Sequence, residues 1–145
     1  MNETILNQCE VRFGFNNMDF NRVTEMLSEA FWSRGIRTEE VKQGAMNSAL
    51  IQGVFLNQKQ IAYSRVISDK TRFAYILDVY VDERYRKNGI GQLMINNILN
   101  HDELKHVYQW LLITKDAHGV YGKSGFKNIG RPEDWMEIRN ERPER

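Results

Sequence analysis

Arg86-Lys87-Asn88-Gly89-Ile90-Gly91 combines charge and glycine at a spacing suited to holding an anion. It follows Ile76-Leu77-Asp78-Val79-Tyr80-Val81, which reads as a strand, and the polar turn Asp82-Glu83-Arg84-Tyr85. The apolar residues after it recur with helical spacing, so the R-x-x-G-x-G run opens a helix. A helix start leaves its first backbone N–H groups without partners and carries partial positive charge, which suits a phosphate. Gly89 and Gly91 let an anion come close to that backbone, and Arg86 and Lys87 add full charges. The alternative is structural: the glycines make a tight turn and close helix–sheet packing, and nothing more.

The rest of the composition narrows the ligand. The 145 residues carry a net charge of +1, so no overall basic field points to nucleic acid or to an anionic membrane. The positive charge at Arg84, Arg86 and Lys87 is local, as a small anion requires. No apolar run reaches the roughly eighteen residues of a membrane span, no signal peptide is expected, and a cytoplasmic home follows. Cys9 is the only cysteine. It excludes an internal disulfide and a cysteine-built zinc site, and it reads as a small apolar core residue. His101 and His106 have no metal-like partners at suitable spacing, so no metal is expected. There is no G-x-x-x-x-G-K-[ST], which disfavours a nucleotide hydrolase.

The elements that must position this turn are legible as periodicities. Residues 9–15 alternate as a first strand, and Asp19 caps a helix running to about Arg34, with Phe20, Val23, Leu27, Ala30 and Phe31 on one face. A weaker helix spans Thr38 to about Asn47. Strand-like runs at residues 49–56, 61–68 and 73–81 are joined by short polar links, an antiparallel meander. After Gly89, Ile90, Leu93, Met94 and Ile98 mark a helix. Trp110-Leu111-Leu112-Ile113 then forms a strand, which makes strand–helix–strand a parallel crossover. A short helix from about Asp116 to Ser124 ends at Gly125. Two last strands are expected at residues 126–129 and 136–139, then a loose charged tail over residues 140–145. A single domain over residues 1–145 is the economical division.

A second segment, Ala117-His118-Gly119-Val120-Tyr121-Gly122-Lys123-Ser124-Gly125-Phe126, lies about thirty residues beyond the first. Together the two resemble the GNAT N-acetyltransferase superfamily, whose coenzyme loop reads Q/R-x-x-G-x-G/A and whose later helix reads A-x-x-L-Y-x-K-x-G-F. Val120 stands in the Leu place. The wider run, with Asp69, Phe73-Ala74-Tyr75, Thr114 and Asp116, is similar to a bacterial subgroup of small GNAT proteins that mostly have no assigned substrate. The resemblance implies an α/β (α+β) fold: a mixed, mostly antiparallel sheet of about seven strands flanked by about four helices, splayed at the coenzyme site.

It also implies acetyl-CoA as donor and an amine of a small molecule or peptide as acceptor. Backbone groups of Val79, Tyr80 and Val81 would receive the pantetheine arm, and the loop from Arg86 and Lys87 through Asn88, Gly89, Ile90 and Gly91 would cradle the pyrophosphate. Tyr121 takes the place of the family's general acid; the plain alternative is an aromatic packed under the sheet. Asp78 would orient the amine or accept its proton through water, or else is a strand carboxylate tied to a neighbouring Arg. Tyr75 stands where some members carry a glutamate base, so that base is missing and water can serve. Thr114 would touch the coenzyme or start the next helix. On the acceptor side Trp32 would wall the pocket or sit in the core, and Arg65 would anchor an acidic acceptor or face solvent. Asp69 reads equally well as turn chemistry. Short C-terminal edge strands are compatible with a homodimer. The rival function is a non-catalytic acyl-CoA sensor that keeps the cradle and has lost the chemistry.

Overall fold

The computed structural model describes residues 4–145, so residues 1–3 of the expected domain lie outside the described residues. Its centre is one five-stranded sheet in the order β1-β2-β3-β4-β5. The strands are β1 (Glu10–Phe13), β2 (Leu50–Leu56), β3 (Lys59–Ser68), β4 (Phe73–Val81) and β5 (Gln109–Leu111). Neighbours pair antiparallel except β4 with β5, which is parallel, as the strand–helix–strand order requires. All but one residue of β2 are buried, so this central strand is covered on both faces rather than on one.

Among the described residues five α-helices flank the sheet: α1 (Ile5–Gln8), α2 (Phe20–Glu29), α3 (Thr38–Met46), α4 (Ile90–Leu99) and α5 (His118–Gly122). On one face α2 and α3 bury Val23, Met26, Leu27, Val41 and Ala45 against Ile51, Tyr63 and Tyr80. On the other, α4 packs Ile90, Met94, Ile95 and Ile98 against Val54, Ala62, Val66 and Ile76. A polar pin fixes α4 within this apolar layer. The buried Gln52 amide donates to the Met94 carbonyl at 3.0 Å and to Ser64 Oγ at 3.2 Å, and its oxygen accepts from Asn97 Nδ2 at 2.8 Å.

The sheet has five strands rather than about seven. Residues 126–129 and 136–139 have strand-like composition but join no ladder, and Met136 and Ile138 are 97% and 91% exposed. Alternation proposes a half-buried strand only where an edge and a covering layer exist to receive it. The α2 helix also stops at Glu29, five residues before Arg34. The buried Ser33 hydroxyl donates to the Leu27 carbonyl at 2.6 Å, and Gly35, at φ +72°, carries the chain away. Phe31 and Trp32 therefore leave the helix and stand partly exposed beyond its end. The charged tail is docked: Arg142 donates to the Trp32 carbonyl at 2.9 Å, and Arg145 pairs with Glu40 at 2.7 Å.

The turn after β4 is held by Asp82, a buried carboxylate that pairs with both Arg22 of α2 and Arg84. Arg84 is thus committed to an internal pair, leaving Arg86 and Lys87 as the cations of the turn. The Arg84 side chain, helped by its backbone N–H and by the Arg22 charge, lowers Asp82 to about 2. An unfolded Asp titrates near about 3.9, so the carboxylate adds stability that is complete above that value and is lost as pH falls toward 2. Thermal melts from neutral pH downward are expected to lose part of their acid sensitivity in Asp82→Asn.

Candidate active site

β4 and β5 share three ladder positions, the last pairing Tyr75 with Leu111, and then part. Beyond Tyr75 the β5-facing backbone of β4 has no strand partner. Three residues on, the β3–β4 register skips: Tyr63 pairs with Tyr80 but Arg65 with Leu77, so two residues of β4 stand opposite one of β3. This is a β-bulge, and it bends the strand that carries it. Its hallmark is Asp78 at φ +53°, a left-handed conformation that Asp tolerates better than most residues.

The cleft at the splay has a volume of about 440 Å³. Its walls include Leu77, Asp78 and Val79 from β4, Leu112 to Ala117 from the chain after β5, Tyr121 from α5, and Phe31 and Trp32 from beyond α2. Three residues that the sequence offered separately converge here. Trp32 Nε1 donates to Asp78 Oδ1 at 3.0 Å, and Arg65 Nε donates to Asp78 Oδ2 at 2.7 Å. Asp78 is therefore a strand carboxylate tied to an Arg, and at the same time a wall of the cleft. Arg65 is held further by the Gly44 carbonyl at 3.3 Å. A Cβ on Gly44 would approach the guanidinium to 3.2 Å, so the glycine lets α3 lie close over it.

Tyr121 is half-buried, edge-on to Phe126 with ring centroids 6.0 Å apart, and its hydroxyl has no hydrogen-bond partner among the described residues. Burial first, and the nearby Asp116 carboxylate second, raise its pKa, so the phenol keeps its proton at physiological pH. Thr114 Oγ1 accepts from the Ala117 N–H at 3.0 Å in the turn before α5, a helix that no side chain caps, and the residue also lines the cleft. Tyr75 lines the cleft as well. Tyr80 is different: its ring is buried under α2, with its hydroxyl 3.4 Å from Glu29 and Arg86 stacked on it at 5.1 Å. Only its backbone is available to a ligand.

At the turn, Lys87 at φ +66° and Gly89 at φ +82° lead into α4. No side chain caps this helix. Its first bond runs from Leu93 N–H to the Gly89 carbonyl at 3.0 Å, leaving the N–H groups of Ile90, Gly91 and Gln92 without helical partners. A Cβ on Gly91 would meet nothing within 4 Å. Close packing therefore does not account for this glycine, and the flank of the helix start at Gly91 is open. Arg86 Nε is bound to the Val81 carbonyl at 2.9 Å, and Asn88 Nδ2 to the Tyr85 carbonyl at 2.9 Å; both brace the loop. Asp69 accepts the N–H groups of Thr71, Arg72 and Phe73 and forms the β3–β4 turn.

Sequence reasoning overlooked Phe31, Asp116 and Arg139 as cleft residues. Phe31 fits the apolar stripe of α2, and only the helix end moves it to the cleft, where the Lys115 ammonium lies over its ring at 4.7 Å. The Ser33-Arg34-Gly35 run was the available signal. Among the described residues no three His, Cys, Asp or Glu side chains are grouped to hold a metal, and no helix is long and apolar enough to cross a membrane.

Comparison with known proteins agrees with this architecture. Residues 50–128 match the acetyltransferase (GNAT) domain. A GNAT-family acetyltransferase of Xanthomonas campestris pv. campestris is 30% identical, with a TM-score of 0.83 over 90% of this chain and 94% of that one. A GNAT-family protein of Streptococcus pneumoniae shares the fold at 19% identity, with a TM-score of 0.72 over 94% and 99% of the two chains. So does a Clostridium acetobutylicum acetyltransferase described with acetyl-CoA, at 18% identity and a TM-score of 0.69 over 90% and 96%. No curated protein sequence matches. The chain belongs to the GNAT acetyltransferase family.

The bulge supplies a test of its own. Asp78→Ala strands the Arg65 and Trp32 donors and places Cβ-bearing Ala in the left-handed region, at a cost on the order of 3 kcal/mol. Asp78→Asn keeps one acceptor and a tolerated conformation and is expected to cost about 1 kcal/mol. Urea unfolding measures both.

Proposed function

We propose that the protein is an acetyl-CoA-dependent N-acetyltransferase acting in the cytoplasm, moving acetyl to a primary amine of a small molecule or a peptide. The observation that carries this reading is the pairing of open, uncapped amides at the start of α4 with a splayed cleft where Tyr121 keeps a free hydroxyl. The residues fit the donor: the vacant space above Gly91 suits a pyrophosphate at a helix start, and the unpaired backbone around Val79 suits an arm laid along β4. Arg86, Lys87 and the amides from Asn88 to Gly91 would hold the phosphates, with Thr114 beside the arm.

Bound acetyl-CoA supplies the activated acetyl group. The acceptor nitrogen must be uncharged to attack, and the departing sulfur must receive a proton. Tyr121 holds that proton: its raised pKa keeps the phenol neutral, and a phenol is a reasonable donor to a thiolate. Both Asp78 oxygens already accept hydrogen bonds, which favours orienting the ammonium over removing its proton, so water is the proposed carrier of that proton. The occupied state of Asp78 also supports the second reading, a non-catalytic acyl-CoA sensor.

Thiol release from acetyl-CoA across polyamines, amino acids, aminoglycosides and peptides separates the two, because a sensor gives no amine-dependent thiol. Gly91→Glu is expected to leave the melting temperature of the free protein unchanged and to abolish stabilisation by coenzyme A, since only the anion space is filled. Tyr121→Phe should lower kcat by about 10²-fold with coenzyme affinity retained. An unaltered kcat removes Tyr121 from the role of acid.

A further inference from the structure

Beneath α2 and α3, on the far side of Asp78 from the cleft, lies a second cavity of about 370 Å³. Leu27 and Val41 give it apolar walls, and Glu40, Gln43, Asn47, Tyr63, Arg65 and Asp78 supply its polar groups; both Glu40 oxygens are already taken by Arg145. Tyr63 is 0% exposed, and its hydroxyl is the one fully buried side-chain polar atom among the described residues that has no hydrogen-bond partner. Such a group is costly to leave unpaired, which makes it informative about what the cavity receives. Burial pushes the phenol far above its ordinary range, so it offers a proton at every physiological pH. Arg65, two residues along the same face of β3, spends Nε on Asp78 and Nη1 on Gly44 and Ser48, while its Nη2 has no partner among the described residues. Tyr63 and Arg65 both line the cavity, and each carries a donor without a partner among the described residues.

We propose that this cavity is the acceptor pocket and that the acceptor is a small amino-carboxylate, its carboxylate received by the Tyr63 hydroxyl and Arg65 Nη2 and its amine directed along Asp78 toward the cleft. The inference rests on the acetyltransferase reading for its catalytic meaning and on the cavity alone for binding. A carboxylate is the simple group that accepts from a hydroxyl and a guanidinium at once. Asp78 lines both the cavity and the cleft, so a cation beside it stands at their junction. Its oxygens keep lone pairs beyond those used by Trp32 and Arg65.

Calorimetric titration tests the pocket without turnover, using matched pairs: L-lysine against cadaverine and L-phenylalanine against phenethylamine, each with coenzyme A present. In at least one pair the amino-carboxylate is expected to bind the wild type about tenfold or more tighter than its decarboxylated partner, and Tyr63→Phe to erase most of that preference. The melting temperature of free Tyr63→Phe should equal or exceed the wild type's, because the variant deletes an unpaired group. Equal binding within both pairs, no binding in either, or a preference unchanged in Tyr63→Phe overturns the proposal. So does a lowered melting temperature with unchanged binding, which would mean the hydroxyl serves the fold through bound water. The two readings fail separately. Carboxylate-dependent binding without thiol release keeps the pocket and removes the enzyme, whereas thiol release with simple amines alone keeps the enzyme and removes the pocket.

Discussion

The extra residue in β4 imposes a constraint that the whole site inherits. Two residues face one across the ladder, the strand bends, and Asp78 takes a left-handed conformation. That conformation is held from both sides, by the Trp32 indole on one carboxylate oxygen and the Arg65 guanidinium on the other. The same carboxylate therefore ties the loop after α2, the floor of β3 and the edge of the cleft into one unit. With β4 bent and the β4–β5 ladder ended at Tyr75, the backbone around Val79 is left open. In the middle of a sheet such groups would ordinarily be paired, and their exposure is what makes a strand-like guest plausible physically.

The helix proposed to receive the anion is fixed with similar economy. Gln52 reaches through the buried layer to the Met94 carbonyl and Asn97, pinning α4 in rotation and along its axis. Asp82 draws Arg22 and Arg84 together at the turn, which anchors the loop to α2 and removes one cation from the apparent basic cluster. The start of α4 is then left without a side-chain cap, with Gly91 facing open space. The framework is firm around the places where backbone is left unsatisfied, as a binding site built from main-chain groups requires.

Much of this was legible in sequence because it depends on local rules. The meander from β2 to β4 follows from apolar runs and short polar links, and α4 from its helical spacing after Gly89. Where the reading went astray, the deciding partner was distant in sequence. The end of α2 depends on Ser33 turning back to Leu27, and Phe31 changed from core to cleft with it. The two missing C-terminal strands had suitable alternation and no edge to join. Tyr63 was unremarkable as a strand aromatic, since an absent partner cannot be read from neighbours in the chain.

The sequence by itself determined the family and the order of the elements from β1 to α5, because those reside in short segments whose residues act on their own backbone. Only the tertiary structure decided that Trp32, Asp78 and Arg65 meet, and that Tyr63 is buried without a partner beside them. These facts depend on contacts across 13 to 46 residues of chain and on a bulge whose register belongs to two strands at once. A side chain's chemistry is written in its type, but whether its hydrogen bonds are met is set by what packing brings to it.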